Sequence, residues 1–276
     1  MRTLVLFGVL LTPLGCSSKR KENDMKGHGQ QGHQHGHRHG DHAHKHSPQA
    51  TAKLVVATDP AELVAGRPVS LRLMIHSGEG TMVKDFDVMH EEKVHLLIVR
   101  DGLDHFAHVH PSVDSQGNLA IAHTFPAGGT YRLFADFTPA GGKHATAEGS
   151  ISVDGKSSPA PRLVPNAPGE VEGDGLRATI TAAPLKAGSP ARVSFTLRDE
   201  RGAAARLELY MGELGHLMFV GADTGLYVHV HPGDGDGASG SVTFEANLAK
   251  SGLYKGWGQF KRSGKVRVVP FVLKVE

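Results

Sequence analysis

Eight histidines fall within the 19 residues from His28 to His46: His28, His33, His35, His37, His39, His42, His44 and His46. Imidazole is the commonest protein ligand for transition metals, and a polar chain this dense in it captures Cu, Ni or Zn ions. Two further clusters lie downstream, in the His-x-His-Pro runs His108–Pro111 and His229–Pro232. On a β-strand, residues i and i+2 project to one face about 6.5–7 Å apart. His108 with His110, and His229 with His231, therefore present paired imidazoles. His95 and His216 each lie 13 residues before the first His of a pair, a spacing that an antiparallel hairpin closes. Three imidazoles converging at ~2.0–2.1 Å make a metal site. Met89 and His90 precede His95, and Met211 precedes His216; a thioether from either Met would favour Cu(I). The competing reading is a histidine hydrogen-bond network kept for the fold, each Pro simply ending its strand.

The elements that must position these residues are strands. From Lys53 onward, runs such as LVVATDP, VSLRLMIHS, VHLLIVR and TYRLFADF are short, rich in β-branched and aromatic residues, and punctuated by Gly, Pro, Asp and Ser. Several alternate apolar and polar positions, as half-buried strands do. No sustained helical period occurs. The Pro-rich stretch 157–169 reads as a linker, after which the strand pattern resumes through LRATITAA, ARVSFTLRD, HLMFVG, LYVHVHP and GLYKGWGQF. The fold expected is all-β, with β-sandwiches at 53–156 and 170–276. Whether they pack together or swing on the linker is left open.

Before Lys53 the chain reads differently. Arg2 followed by a short apolar stretch, Leu4 to Leu11, fits a secretory signal over 1–15 and is too short for a membrane span. Cys16 is the only cysteine. It sits where cleavage would leave it N-terminal, and Leu14-Gly15-Cys16 resembles the lipobox of bacterial lipoproteins, departing from it at Pro13 and Leu14. Cys16 is therefore the expected lipidation site, with ordinary signal cleavage as the alternative. The rest of the chain then has no thiol, which excludes zinc ribbons, Fe–S clusters, cysteine catalysis and blue-copper sites. Residues 16–52 are polar, Gly- and His-rich, and expected to be a disordered tether. The net charge of +2 gives no reason to expect a nucleic-acid partner.

The two halves are copies. HLLIVRDGLDHFAHVHP (95–111) aligns without a gap with HLMFVGADTGLYVHVHP (216–232), with seven of 17 positions identical. Tyr131, Phe134 and Phe137 align with Tyr254, Trp257 and Phe260, and Met89 lies close to the register of Met211. The aromatic trios read as core. His105 lies near the first candidate site, whereas His76, His123 and His144 stand alone and read as surface or packed residues.

Tyr210-Met211-Gly212, Gly215-His216-Leu217, His229-Val230-His231-Pro232 and Tyr254…Trp257…Phe260 resemble secreted bacterial β-sandwich domains of the YtkA-like or heavy-metal-associated kind. The first half resembles a sister pattern through Met89-His90, His95, His108–Pro111, Phe125-Pro126, Gly128-Gly129 and Tyr131. The resemblance implies a Greek-key, cupredoxin- or Ig-like sandwich and an association with copper or other heavy-metal handling.

Three functions compete. The first is a non-enzymatic envelope lipoprotein, periplasmic or at the cell surface, that binds copper (alternatively zinc or nickel) for buffering, resistance or delivery to an efflux or oxidase-assembly protein. The second is an interaction or scaffold module of the envelope. The third is a His-x-His enzyme. Tyr227-Val228-His229-Val230-His231 is faintly similar to the copper site of Cu/Zn superoxide dismutases, but a second metal loop, a disulfide and the downstream Glu of cupins are missing. GxSxG, Walker A and HExxH motifs are absent too, so no enzyme is expected.

Overall fold

The computed structural model describes residues 52–157, 159–222 and 225–276. The signal segment, Cys16 and the His28–His46 run lie outside the described residues. The first half carries β1 (Ala52–Asp59), β2 (Pro68–Ser77), β3 (Val94–Arg100), β4 (Phe106–Val109), β5 (Ser112–Val113), β6 (Leu119–Thr124), β7 (Gly129–Phe137) and β8 (Ala145–Val153). The second carries β9 (Gly169–Gly173), β10 (Leu176–Ala182), β11 (Pro190–Asp199), β12 (His216–Gly221), β13 (Tyr227–Val230), β14 (Pro232–Asp236), β15 (Ser241–Asn247), β16 (Gly252–Arg262) and β17 (Lys265–Val275). No helix occurs among the described residues.

In the first domain the strand order is β4-β3-β7-β8-β1-β2-β6-β5. The β8–β1 step is parallel and pairs only Ala52 with Ala147 and Lys53 with Glu148. The sheet folds over at that short join, so that β1-β2-β6-β5 faces β4-β3-β7-β8. The second domain repeats this as separate sheets, β14-β15-β11-β10-β9 and β13-β12-β16-β17. This is the Greek-key order of an immunoglobulin-type sandwich. Both domains also carry its tyrosine corner: the Tyr131 hydroxyl donates to Ala127 O at 2.8 Å and the Tyr254 hydroxyl to Lys250 O at 2.9 Å.

Strand alternation sets two buried faces. Along β3, Val94, Leu96 and Ile98 enter the first domain's core, and along β7 Tyr131, Leu133, Ala135 and Phe137 join them. Leu97, Val99 and Phe134 point out of that sandwich and share a third apolar cluster with Val220 and Trp257 of the second domain. Across it, Phe106 stacks on Trp257 with ring centroids 4.8 Å apart, and Phe134 on Tyr227 at 4.9 Å. The sequence repeat makes Phe106 the counterpart of Tyr227, and Phe134 that of Trp257. The contact is thus a pseudo-twofold one, each domain offering the same patch to the other.

The two sandwiches therefore pack face to face through β4-β3-β7 and β13-β12-β16. This explains why every residue of β3 and of β12 is buried, where a half-buried strand would alternate. It also divides the aromatic trios. Their outer members are core, whereas Phe134 and Trp257 belong to the interface. The end of the Pro-rich stretch is docked on β17: the Asn166 and Ala167 amides donate to Val272 O at 3.0 and 3.1 Å, and the Val272 amide donates to Asn166 Oδ1 at 2.6 Å.

Candidate metal centre

The histidines lie on the same outward faces, at one end of the interface. In β3 His95 shares parity with Leu97 and Val99, and in β4 His108 shares it with Phe106. The chain continues past Val109 to bring His110 alongside. Pairing of Leu97 with His108 sets His95 next to the His108–His110 pair. Three ring nitrogens, one each from His95, His108 and His110, lie within 4.8 Å of one another. His216, His229 and His231 form an equivalent group.

Hydrogen bonds on the far side of the rings hold their orientation. His95 Nε2 donates to Met89 O at 3.1 Å, and His216 Nε2 to Tyr210 O at 3.0 Å. His108 Nδ1 faces Gln259 Oε1 at 2.7 Å, and His229 Nδ1 faces an Asp136 carboxylate oxygen at 3.1 Å. A neutral imidazole has one N–H. With the single proton of each ring on its outer nitrogen, His95 Nδ1 and His108 Nε2 face one another at 3.2 Å, and His216 Nδ1 and His229 Nε2 at 3.3 Å. Tetrahedral coordination at ~2.0–2.1 Å sets neighbouring ligand nitrogens about 3.3 Å apart. The third member of each triad, His110 or His231, has a buried Nε2 with no hydrogen-bond partner, a state shared by His105 and His123 outside the triads. Buried polar atoms without partners are rare and call for an explanation such as an ion.

Electrostatics agrees with neutral rings. Burial drives His110 down to about 4 and His216 to about 3, from an ordinary 6.5. Burial lowers His95 and His231 too, and it takes His108 well down with help from its neighbours His95 and His110. Protons therefore compete weakly with a cation at neutral pH.

The turns before the triads are strained in the same way. Met89 and Glu92 exchange both backbone hydrogen bonds, as do Tyr210 and Glu213. His90 and Glu91 in one, and Met211 and Gly212 in the other, have φ between 46° and 78°. This is the two-residue hairpin turn that favours Gly and Asn, and side chains on three of its four left-handed positions cost energy. The turn holds Met89 O and Tyr210 O where they receive His95 and His216. Gly215, just before His216, is also constrained, because a Cβ there would meet the Phe260 ring at 2.8 Å.

Several residues take positions other than those expected. Met89 matches Tyr210 rather than Met211, whose counterpart is His90. The Met89 sulfur accepts a hydrogen bond from Thr138 Oγ1 at 2.7 Å, so Met89 serves the triad through its carbonyl. Met211 is buried at the turn tip. His90 stacks on His231 of the other domain at 3.7 Å and lies 3.5 Å from Glu213 Oε1; its ring also stands edge-on to His95 of the first triad at 6.4 Å, so it lies against both triads. His105 is remote from the first triad and sits 6.0 Å from His123, ring to ring. Sequence reasoning missed Asp136 and Gln259 altogether. They pair with His95 and His216 within their own domains yet orient a histidine of the opposite one. The signal available was a polar residue in each copy between the last two members of an aromatic trio.

Fold and site together define a tandem immunoglobulin-type β-sandwich with a six-histidine cluster between its domains. The chain belongs to the family described as Domain of unknown function DUF8832, whose model matches twice, at residues 49–155 and 170–276. The two matches are the tandem copies seen in the structure. The finer YtkA-like likeness has no such match behind it. No curated protein matches the chain. Among solved structures it is similar to a tetra-tandem repeat of the extending region of a large adhesion protein, with 14% identity, 82% of this chain and 49% of that one, and a TM-score of 0.27. It is also similar to the Escherichia coli adhesin FdeC, with 16% identity, 83% and 65% coverage and a TM-score of 0.28. A third is a putative membrane-anchored protein from Corynebacterium diphtheriae, with 11% identity, 83% and 59% coverage and a TM-score of 0.25. The chain spans less than two thirds of each, and no functional assignment rests on them.

Proposed function

We propose that this chain is a non-enzymatic metal-binding protein of the bacterial envelope that holds two transition-metal ions between its sandwiches. One observation carries the reading. In each triad, one ring nitrogen from each of three histidines lies within 4.8 Å of the others, and the Nε2 of His110 or His231 has no hydrogen-bond partner. An all-imidazole donor set suits Cu(II), Zn(II) and Ni(II), with copper strongest by the Irving–Williams order. The engaged Met89 sulfur weighs against a soft Cu(I) site. With Cys16 lipidated, the chain would be tethered to a membrane, and His28–His46 would add capacity for the same ions. Val88 and Leu209, 62% and 61% exposed, occupy equivalent positions one residue before the two turns. An apolar rim there fits delivery to an efflux or oxidase-assembly partner, and it is also what an interaction module would show.

Equilibrium dialysis with elemental analysis tests the reading. The full chain binds several Cu(II) or Zn(II) ions, and deletion of 27–46 removes most of them and leaves two. Adding His110→Ala and His231→Ala to that deletion abolishes the remaining two while the fold stays intact, because neither Nε2 hydrogen-bonds to protein. Zero bound ions after the deletion, or no loss in the double variant, would refute the folded sites.

A further inference from the structure

The two triads match in nearly everything. Each has a carbonyl from a strained turn, an equivalent trio of imidazoles, and a residue of the opposite domain behind its second histidine. The rim acids match as well, since Glu92 and Glu213 hold the same place in their turns. Two features differ: His90 stacks on His231 where its counterpart is the apolar Met211, and the residue behind the second histidine is not the same in the two triads. Behind His108 stands the amide of Gln259, and behind His229 the carboxylate of Asp136. Asp136 is fully engaged in that position. Tyr227 OH donates to its Oδ2 at 2.8 Å, Thr146 Oγ1 donates to its Oδ1 at 2.8 Å, and His144 Nε2 lies 3.6 Å from Oδ1. Its side chain is 2% exposed.

We propose that the two triads fill in a fixed order, His216–His229–His231 first, with Asp136 of the first domain as the positioning residue that sets the order. The inference rests on the metal reading above. An amide oxygen can only select the tautomer of the ring it faces. A carboxylate also raises the basicity of the ring it bonds, and among the triad rings Asp136 bonds His229 alone; its charge, in a buried setting where water screens little, acts on His229 at hydrogen-bond range and on its strand neighbour His95 less directly. The rings of the two triads stand 5.4–6.3 Å apart across the interface. The first ion to bind therefore opposes the second and widens the gap between the steps. The domains supply one another's supporting groups, so neither triad is complete in a lone domain.

The test is made on crystals of the full chain equilibrated with buffered Zn(II), from sub-saturating to saturating. Zinc-edge anomalous scattering reports the occupancy of each triad separately, whatever zinc residues 28–46 hold. The second-domain triad is expected to reach half occupancy at a free zinc concentration at least about tenfold lower than the first. Asp136→Asn should close that gap, and Gln259→Glu should close it from the other side. Equal half-occupancies in the unmodified chain, or the first triad leading, would overturn the ordering and leave the metal reading standing. No zinc in either triad at saturation would remove both. Should Asp136→Asn fail to fold, Gln259→Glu decides alone, and an unchanged gap would overturn the proposal.

Discussion

At the scale of single residues, the proposed metal cluster depends on protons being kept off it. Each ring that donates does so away from the centre, to Met89 O, Tyr210 O, Gln259 or Asp136. Burial then disfavours a second proton. The linkage to stability has a definite sign. Above pH ~6.5 His95, His108, His110, His216 and His231, all lowered by burial, are neutral in folded and unfolded chains alike. Below it the unfolded chain takes up protons that the folded one refuses, until His110 and His216 titrate at about 4 and about 3. Stability should therefore fall as pH drops from ~6.5 toward ~4. Urea midpoints of the metal-free protein should be lower at pH 5 than at pH 7.5, and the difference should shrink in His110→Ala with His231→Ala. Equal midpoints at the two pH values would mean that the rings are not held neutral. Much of this centre was legible in the sequence. The i, i+2 histidines, the third one 13 residues upstream and the repetition of both named all six rings. Asp136 and Gln259 were not legible, because they lie 93 and 151 residues from the histidines they orient, and no local period encodes such a contact.

At the scale of elements, β3 and β12 do two tasks. One face of each fills its own sandwich, and the other carries a histidine at one end and apolar residues beyond it. The near-continuous apolar run of VHLLIVR, grouped by the sequence reading with half-buried strands, is what a strand buried on both faces shows, since a strand with one wet face alternates. The partner of the second face could not be read, because the apolar residues that cover it, Trp257 and Phe134, carry the same sequence signature as core aromatics. Trp257 stacks on Phe106 and anchors the shared cluster. Trp257→Ala should cost about 3–5 kcal/mol and weaken metal binding at both triads, because Gln259 and Asp136 reach their histidines only across that contact. A denaturation series read beside metal titration checks this. Full metal affinity in a destabilised Trp257→Ala protein would show that the triads do not depend on the interface.

For the whole molecule, duplication has been turned into mutual support. Two copies of one sandwich meet through equivalent patches, and each copy completes the hydrogen bonding of the other's histidines. All-β class, tandem copies and strand pattern followed from the sequence. The closed geometry did not, because the Pro-rich stretch 157–169 reads only as a linker that leaves packing open, whereas the chain docks its end on β17 through Asn166. The most direct test of the central claim is diffraction at the copper absorption edge from copper-saturated crystals. The account predicts two peaks, one bonded to His95, His108 and His110 and the other to His216, His229 and His231, each about 2.0 Å from its three ring nitrogens. A saturated crystal with no copper in either triad would contradict it.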